Sequence, residues 1–208
     1  RLDSGDLAYL AKKARRMLDE AGLEATKILA SNQLDEYLIR SLQEQGAPID
    51  GYGVGTELVT GKKTAALDGV YKLAAINDRP TLKLSNTYEK ISLPGKKQVY
   101  RYYDEDGLFY ADSIALADES GPAMMHHPYE KENSCQLSKR KMELLYKLHV
   151  EDGEMLVDDN DPYAIQEYVR TRLVLLPPEH QRFEMPHIYK VGLSGKLHEM
   201  RQELVHQL

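Results

Sequence analysis

Three short stretches of the chain carry residue types suited to holding a phosphorylated sugar. The first, Asp3-Ser4-Gly5-Asp6, sets two carboxylates around a Ser-Gly pair. Carboxylates at a strand exit can accept from ribose hydroxyls or join a Mg²⁺–phosphate complex. The same four residues also make an ordinary turn whose Asp6 caps the next helix. The two acids need not play the same part, since Asp6 can cap while Asp3 faces a ligand. The second stretch, Ala30-Ser31-Asn32, ends an apolar run with two short polar side chains. The third, Gly51-Tyr52-Gly53-Val54-Gly55-Thr56, is glycine-rich. Glycines let backbone N–H groups approach an anion closely, and Thr56 adds a hydroxyl. This loop is not a dinucleotide fingerprint. Nor is it a Walker A loop, since Gly55 and Gly61-Lys62 stand one residue too far apart and Lys63 sits where Ser or Thr belongs. A tight strand-exit turn accounts for its glycines equally well.

Other chemistry finds little support. The seven histidines are scattered, and adjacent His126 and His127 have no Cys or acid at metal-ligand spacing. Cys135 lacks the local signature of a nucleophile, and no Gly-x-Ser-x-Gly elbow is present.

The elements around these stretches follow from periodicity. Leu7, Leu10, Ala14, Met17, Leu18 and Ala21 recur at helical spacing, with Asp6 as N-cap and Gly22 as stop. The run Lys12, Lys13, Arg15, Arg16 reads as a solvated face. Ala25–Ala30 reads as a short buried strand, Leu34–Gln45 as a helix ended by Gly46, and Ile49–Gly55 as a further strand and loop. Such short alternation implies parallel strands with right-handed crossovers. After Asp68 the pattern changes. Tyr71–Ile76, Thr81–Ser85, Val99–Tyr103 and Leu108–Leu116 are strand-like, with turns at Asn77–Pro80 and Asp106-Gly107. Ala117–Val157 reads as surface loops plus a strand near Met142–His149. Asp161-Pro162 opens a helix using Ile165, Tyr168, Val169 and Leu173, stopped by Pro177-Pro178. Ser194 starts a last helix with Leu197, Met200, Leu204 and Leu208 on one face.

Composition bounds the partners. The chain has 208 residues and a net charge of −6, which argues against a general nucleic-acid binder because phosphate neutralisation needs a dense basic face. No apolar run reaches the roughly 18 residues of a membrane span. A single cysteine rules out an intrachain disulfide and suits a reducing cytoplasm. Fourteen tyrosines and no tryptophan are unusual but point to no function.

Six ordered blocks carry a resemblance. They are Arg1–Leu10, Ala30–Glu36, Gly53–Thr56, Gly69–Leu73, Pro94–Arg101 and Pro186–Ser194. Together the chain resembles the C-terminal half of the nicotinate phosphoribosyltransferase family along essentially its whole length. The resemblance implies a type II phosphoribosyltransferase: a partial, irregular α/β barrel over residues 1–70, then an antiparallel β region and C-terminal helices over 71–208 from a second domain. It implies joining nicotinate to phosphoribosyl pyrophosphate, with Mg²⁺ and coupled ATP hydrolysis, in a cytoplasmic homodimer. It further implies Asp3 on the ribose hydroxyls as the catalytic carboxylate and Arg1 on the nicotinate carboxylate. Ser31, Asn32, Gly53, Gly55 and Thr56 would hold the 5′-phosphate. The family's phosphorylated histidine is expected upstream, so this piece is expected to be inactive alone, and its open barrel edges to favour self-association. Another type II enzyme acting on nicotinamide or quinolinate, and a non-catalytic assembly module, are the competing readings. The sequence departs from the family pattern at Ala65–Gly69, at Tyr52 where Trp is common, and at Glu57, an acid that would weaken an adjacent phosphate site.

Overall fold

The computed structural model describes residues 1–66, 69–130, 132–157 and 161–207. The chain divides into two compact units, Arg1–Val70 and Tyr71–Leu208. Leu67 and Asp68, within the departure at Ala65–Gly69, and Leu208, expected on the last helix, lie outside the described residues.

The first unit begins with α1, Leu7–Glu20. The Asp6 carboxylate accepts from the Tyr9 N–H at 2.9 Å, as an N-cap should. At the other end Gly22 takes φ +72°, and the N–H groups of Gly22 and Leu23 donate to Asp19 and Leu18. That pattern closes the last turn with a left-handed glycine. The buried face differs from the expected one. Leu7, Ala8 and Ala11 are buried, whereas Met17 is 60% exposed. The small alanines let the helix approach the strand beneath it. Nor is the basic run wholly solvated: Arg15 turns inward and donates to the carbonyls of Thr26 (2.6 Å) and Leu23 (2.9 Å), tying down the helix exit.

Strand β1 is Leu29–Ser31, α2 is Glu36–Glu44 and β2 is Gly51–Gly53. β1 and β2 pair in parallel, and Leu2 adds a parallel bridge to Ala30 on the other side. The strand is shorter than Ala25–Ala30 because Ile28 is held differently: its N–H donates to the Asp50 carboxylate, and the Asp50 N–H returns to its carbonyl. It is also buried on one side only. Ala30 is buried with Leu7, Ala8, Leu34 and Leu42, while Leu29 stays half exposed. Helix α2 starts later than expected, since Asp35 is its N-cap and accepts from Leu38 N–H at 2.7 Å. Leu34, just before the cap, packs in the same cluster as Ile39, fixing how the chain enters the helix. Helix α3, Thr56–Thr60, follows β2 and ends at left-handed Gly61.

The second unit opens with a minimal hairpin, β3 (Ala75–Ile76) and β4 (Arg79–Pro80), turned by left-handed Asn77 and Asp78. Only the end of Tyr71–Ile76 is strand. Thr81–Ser85, despite clean alternation, forms none: Lys83 instead exchanges bonds with Ser92, to its hydroxyl and from its N–H. β5 (Lys97–Tyr103) and β6 (Phe109–Leu116) form the expected antiparallel pair, with Gly107 at φ +83° in the turn. Then come β7 (Met124–His126), β8 (Ser134–Gln136), β9 (Met142–Leu144) and the small hairpin β10 (Val150–Glu151) and β11 (Glu154–Met155). Helix α4 is Pro162–Leu173, β12 is Lys190–Ser194 and α5 is Gly195–His206.

The main sheet runs β8-β7-β12-β6-β5-β9. It is mixed rather than antiparallel, because β12 enters its centre parallel to β6 and antiparallel to β7. The Ser194 hydroxyl accepts from Leu197 N–H to cap α5 and donates to Glu119 at 2.6 Å. Between the sheet and α5 sit Leu193 and Leu197, both fully buried. The expected apolar face of α4 is not a core face: Ile165, Tyr168, Val169 and Leu173 are all exposed.

Candidate functional site

The parallel ladder of the first unit places three chain segments side by side, in the order Leu2, β1, β2. Their carboxyl ends lead to Asp3, to Ser31-Asn32 and to Gly53–Thr56. Ser31 lies opposite Gly53, and a Cβ on that glycine would sit 3.5 Å from the Ser31 Cβ, in ordinary contact. Gly55 and Thr56 continue from β2 into α3, where Gly55 occupies the cap position with no side-chain cap bond.

A cavity of about 290 Å³ opens at this end of the unit. Asp3 and Asn32 both line it, as do Ser4 and Gln33. Its apolar wall comes from Leu7 and Ala8 of α1 and from Leu38 and Leu42 of α2. Ser31, Gly53, Gly55 and Thr56 do not line it, and neither does Arg1. The structure therefore gathers the expected residues in two groups: Asp3 with Asn32 on the cavity, and Ser31 with Gly53 along the ladder.

Arg1 joins the first group through an ion pair, its Nη2 3.0 Å from Asp3 Oδ2. Both side chains are exposed, so the pair is open to exchange with a ligand. Gly5 takes φ +71°, and a Cβ there would press to 3.3 Å of Leu10. That glycine permits the sharp step from Asp3 to the Asp6 cap. Asn32 and Gln33 are both left-handed, at φ 80° and 45°. Asn tolerates this region, while Gln seldom adopts it. Gln33 and Gln45, which also line the cavity, were not foreseen; the neighbouring Ser-Asn pair was the only local signal.

Glu57, the acid that seemed misplaced beside a phosphate loop, forms an ion pair with Lys62. The hydrogen bond to Glu57 raises the Lys62 pKa above its usual value, so the lysine stays charged. Its positive charge offsets the acid.

Among the described residues no three His, Cys, Asp or Glu converge as a metal-binding group, and no helix is long and apolar enough to cross a membrane.

Known proteins share this architecture. The family model of the nicotinate phosphoribosyltransferase C-terminal domain matches residues 96–201. Nicotinate phosphoribosyltransferase of Bacillus subtilis is 40% identical across the whole chain, which covers 44% of that protein. That of Caenorhabditis elegans is 35% identical over 98% of this chain and 39% of its own length. The crystal structure of human nicotinic acid phosphoribosyltransferase matches with TM-score 0.79 and 28% identity, over 98% of this chain and 39% of the human one. The chain thus spans less than half the length of these relatives.

Proposed function

The chain belongs to the nicotinate phosphoribosyltransferase family, and from that premise we propose that it supplies the sugar-binding edge of an enzyme that joins nicotinate to phosphoribosyl pyrophosphate. The products are nicotinate mononucleotide and pyrophosphate, for NAD salvage in the cytoplasm. The observation that carries this reading is the shared cavity of Asp3 and Asn32 at the carboxyl end of a parallel ladder. The first unit is then part of a type II barrel, and the working enzyme is a homodimer.

The chemistry suits these residues. As the anomeric C–O bond breaks, its electron pair leaves with pyrophosphate and the ribose becomes cationic. The Asp3 carboxylate accepts from the ribose hydroxyls, orients the ring and offsets the growing charge. The pyridine nitrogen attacks with its own lone pair, so no side-chain nucleophile is required. Arg1, 3.0 Å from Asp3, offers a planar fork to the nicotinate carboxylate and thereby sets base beside sugar. Ser31, Asn32 and Gly53 through Thr56 receive the 5′-phosphate with hydroxyl, amide and backbone N–H donors. Lys62 keeps Glu57 from repelling it. Mg²⁺ bound to phosphoribosyl pyrophosphate and ATP would supply charge neutralisation for the diphosphate leaving group. ATP hydrolysis is assigned to residues other than these seven histidines, and the isolated 208 residues are expected to be inactive.

The test is nicotinate mononucleotide formation by the complete protein containing this chain, beside its Asp3→Asn variant. The variant is expected to lose about 10²–10³-fold in kcat, the usual loss for one preorganised electrostatic group. Equal activity in both proteins would reduce Asp3 to a turn residue. Turnover of nicotinamide or quinolinate in place of nicotinate would move the chain to a sister activity.

A further inference from the structure

In the second unit, far along the chain from the residues given a role above, the fold brings together two histidines that their sequence positions leave apart. His180 closes a 3₁₀ turn, Pro178–His180, and His187 stands just before β12. The segment between them is pinched at its base. The His187 N–H donates to the Glu179 carbonyl at 2.9 Å. In return, His180 Nδ1 lies 2.6 Å from the His187 carbonyl oxygen. The two ring centres are 5.2 Å apart, with their planes tilted by 40°.

The second of these bonds places a proton. A carbonyl oxygen only accepts, so His180 Nδ1 carries the hydrogen and, in the neutral ring, Nε2 keeps its lone pair. Proteins prepare histidines for metals in this way: one ring nitrogen donates to a carbonyl, which fixes the tautomer and the ring, and the other ligates. The His180 ring is braced further by Tyr189, which meets it edge to face at 5.4 Å and 77°. Tyr189 is itself tied down, its hydroxyl donating to Asp112 at 3.0 Å. Among the described residues nothing hydrogen-bonds to His180 Nε2 or to either ring nitrogen of His187. His187 is exposed, so its ring is free to turn a lone pair toward a shared ion. The spacing agrees: with metal–nitrogen bonds of about 2 Å and a tetrahedral angle, two imidazole centres on one ion stand roughly 5 Å apart.

We propose that His180 and His187 form a binding site for a divalent transition-metal ion, Zn²⁺ in chemical class, held by one nitrogen from each ring. No third His, Cys, Asp or Glu joins them among the described residues, so water fills the remaining positions and the affinity is modest. Imidazole nitrogens select such ions over Mg²⁺, which takes oxygen ligands. The ion clips the Gln181–Pro186 loop at its base, on the approach to β12. The site does not depend on the reaction proposed for the first unit.

The test titrates Zn²⁺ by calorimetry into the complete protein containing this chain, with Mg²⁺ in excess to occupy oxygen-lined sites. The parent is expected to bind one more Zn²⁺ per chain than its His187→Asn variant. His187 is exposed, so that variant folds like the parent. His180→Phe keeps a ring against Tyr189 but offers no nitrogen, and should lose the same ion. Hydrogen exchange locates the site. At a free Zn²⁺ concentration ten times the dissociation constant, the His187 amide should exchange about tenfold more slowly, as binding to the closed loop alone requires. Equal stoichiometry in the parent and both variants, displacement of the ion by Mg²⁺, or a His187 amide indifferent to Zn²⁺ would each overturn the proposal and reduce the two rings to packing around Tyr189.

Discussion

The two units bury different chemistry. The centre of the first is aliphatic, built from Leu7, Ala8, Ala30, Leu34 and Leu42. The centre of the second includes two tyrosines, Tyr100 and Tyr102, with Ala111, Ala115, Met125 and Leu137. A buried phenol must find an acceptor, and both do: Tyr100 donates to the Glu119 carbonyl and Tyr102 to the Pro122 carbonyl, each at 2.6 Å. Asp112 is likewise consumed internally, gripped by Arg101 through two bonds of 2.9 and 2.7 Å. Such bonds fix the loops that follow β6 to the face of the sheet. The first unit has no comparable demand at its centre, and its short polar side chains gather at the strand exits instead. The second unit spends these polar groups on its own architecture; the first also leaves Asp3 and Asn32 lining a cavity where a ligand can reach.

The contrast can be broken at its strongest point by Tyr102→Ala. The ring is 2% exposed, so its removal leaves a cavity and an unpaired carbonyl at Pro122. A loss of about 3–5 kcal/mol is expected in denaturant unfolding of the second unit. A loss below about 1 kcal/mol would mean that the core does not depend on its tyrosines. Alkaline titration sharpens the same point. Burial, with smaller contributions from Tyr100 and Glu119, pushes the Tyr102 phenol up to about 12. The unfolded chain releases this proton near pH 10, while the folded chain keeps it. Stability should therefore fall between pH 10 and about 12, by up to about 1.4 kcal/mol per pH unit. Tyr189, raised mainly by burial as well, adds to the same slope. The Tyr102→Phe variant should show a flatter curve; an unchanged curve would assign the effect elsewhere. The smallest effect belongs to the first unit. Asp35→Ala removes the N-cap bond of α2 and should cost about 1 kcal/mol, read as earlier exchange of the Leu38 amide.

What the sequence made legible was mostly local. Asp6 and Gly22 bracket α1, Asp161 accepts from Tyr163 N–H to open α4, and Gly107 turns the β5–β6 hairpin, because each acts on neighbours within a few residues. Parallel pairing of β1 and β2 was legible from spacing. The resemblance brought Asp3, Ser31 and Gly53 to one end of the ladder, but the apolar wall of the Asp3 cavity is shared by α1 and α2, which no motif marks. β12 escaped notice although Lys-Val-Gly-Leu-Ser alternates, because the run is short, a glycine sits at its centre and both its partner strands lie far upstream. Thr81–Ser85 failed the other way: its alternation is clean, yet it forms no strand. Buried Arg201 was invisible, since an arginine on a helix is ordinarily placed in water.

The central place of β12 has a consequence for how the chain acquires its shape. β5, β6 and β9 form one ribbon, and β7 with β8 another, both from nearby sequence. Among the described residues only β12 pairs with both. During synthesis the two ribbons must wait, unjoined, until residue 194 has emerged from the ribosome. β12 is the keystone of this sheet, and the high contact order it imposes makes its docking the slow step of folding.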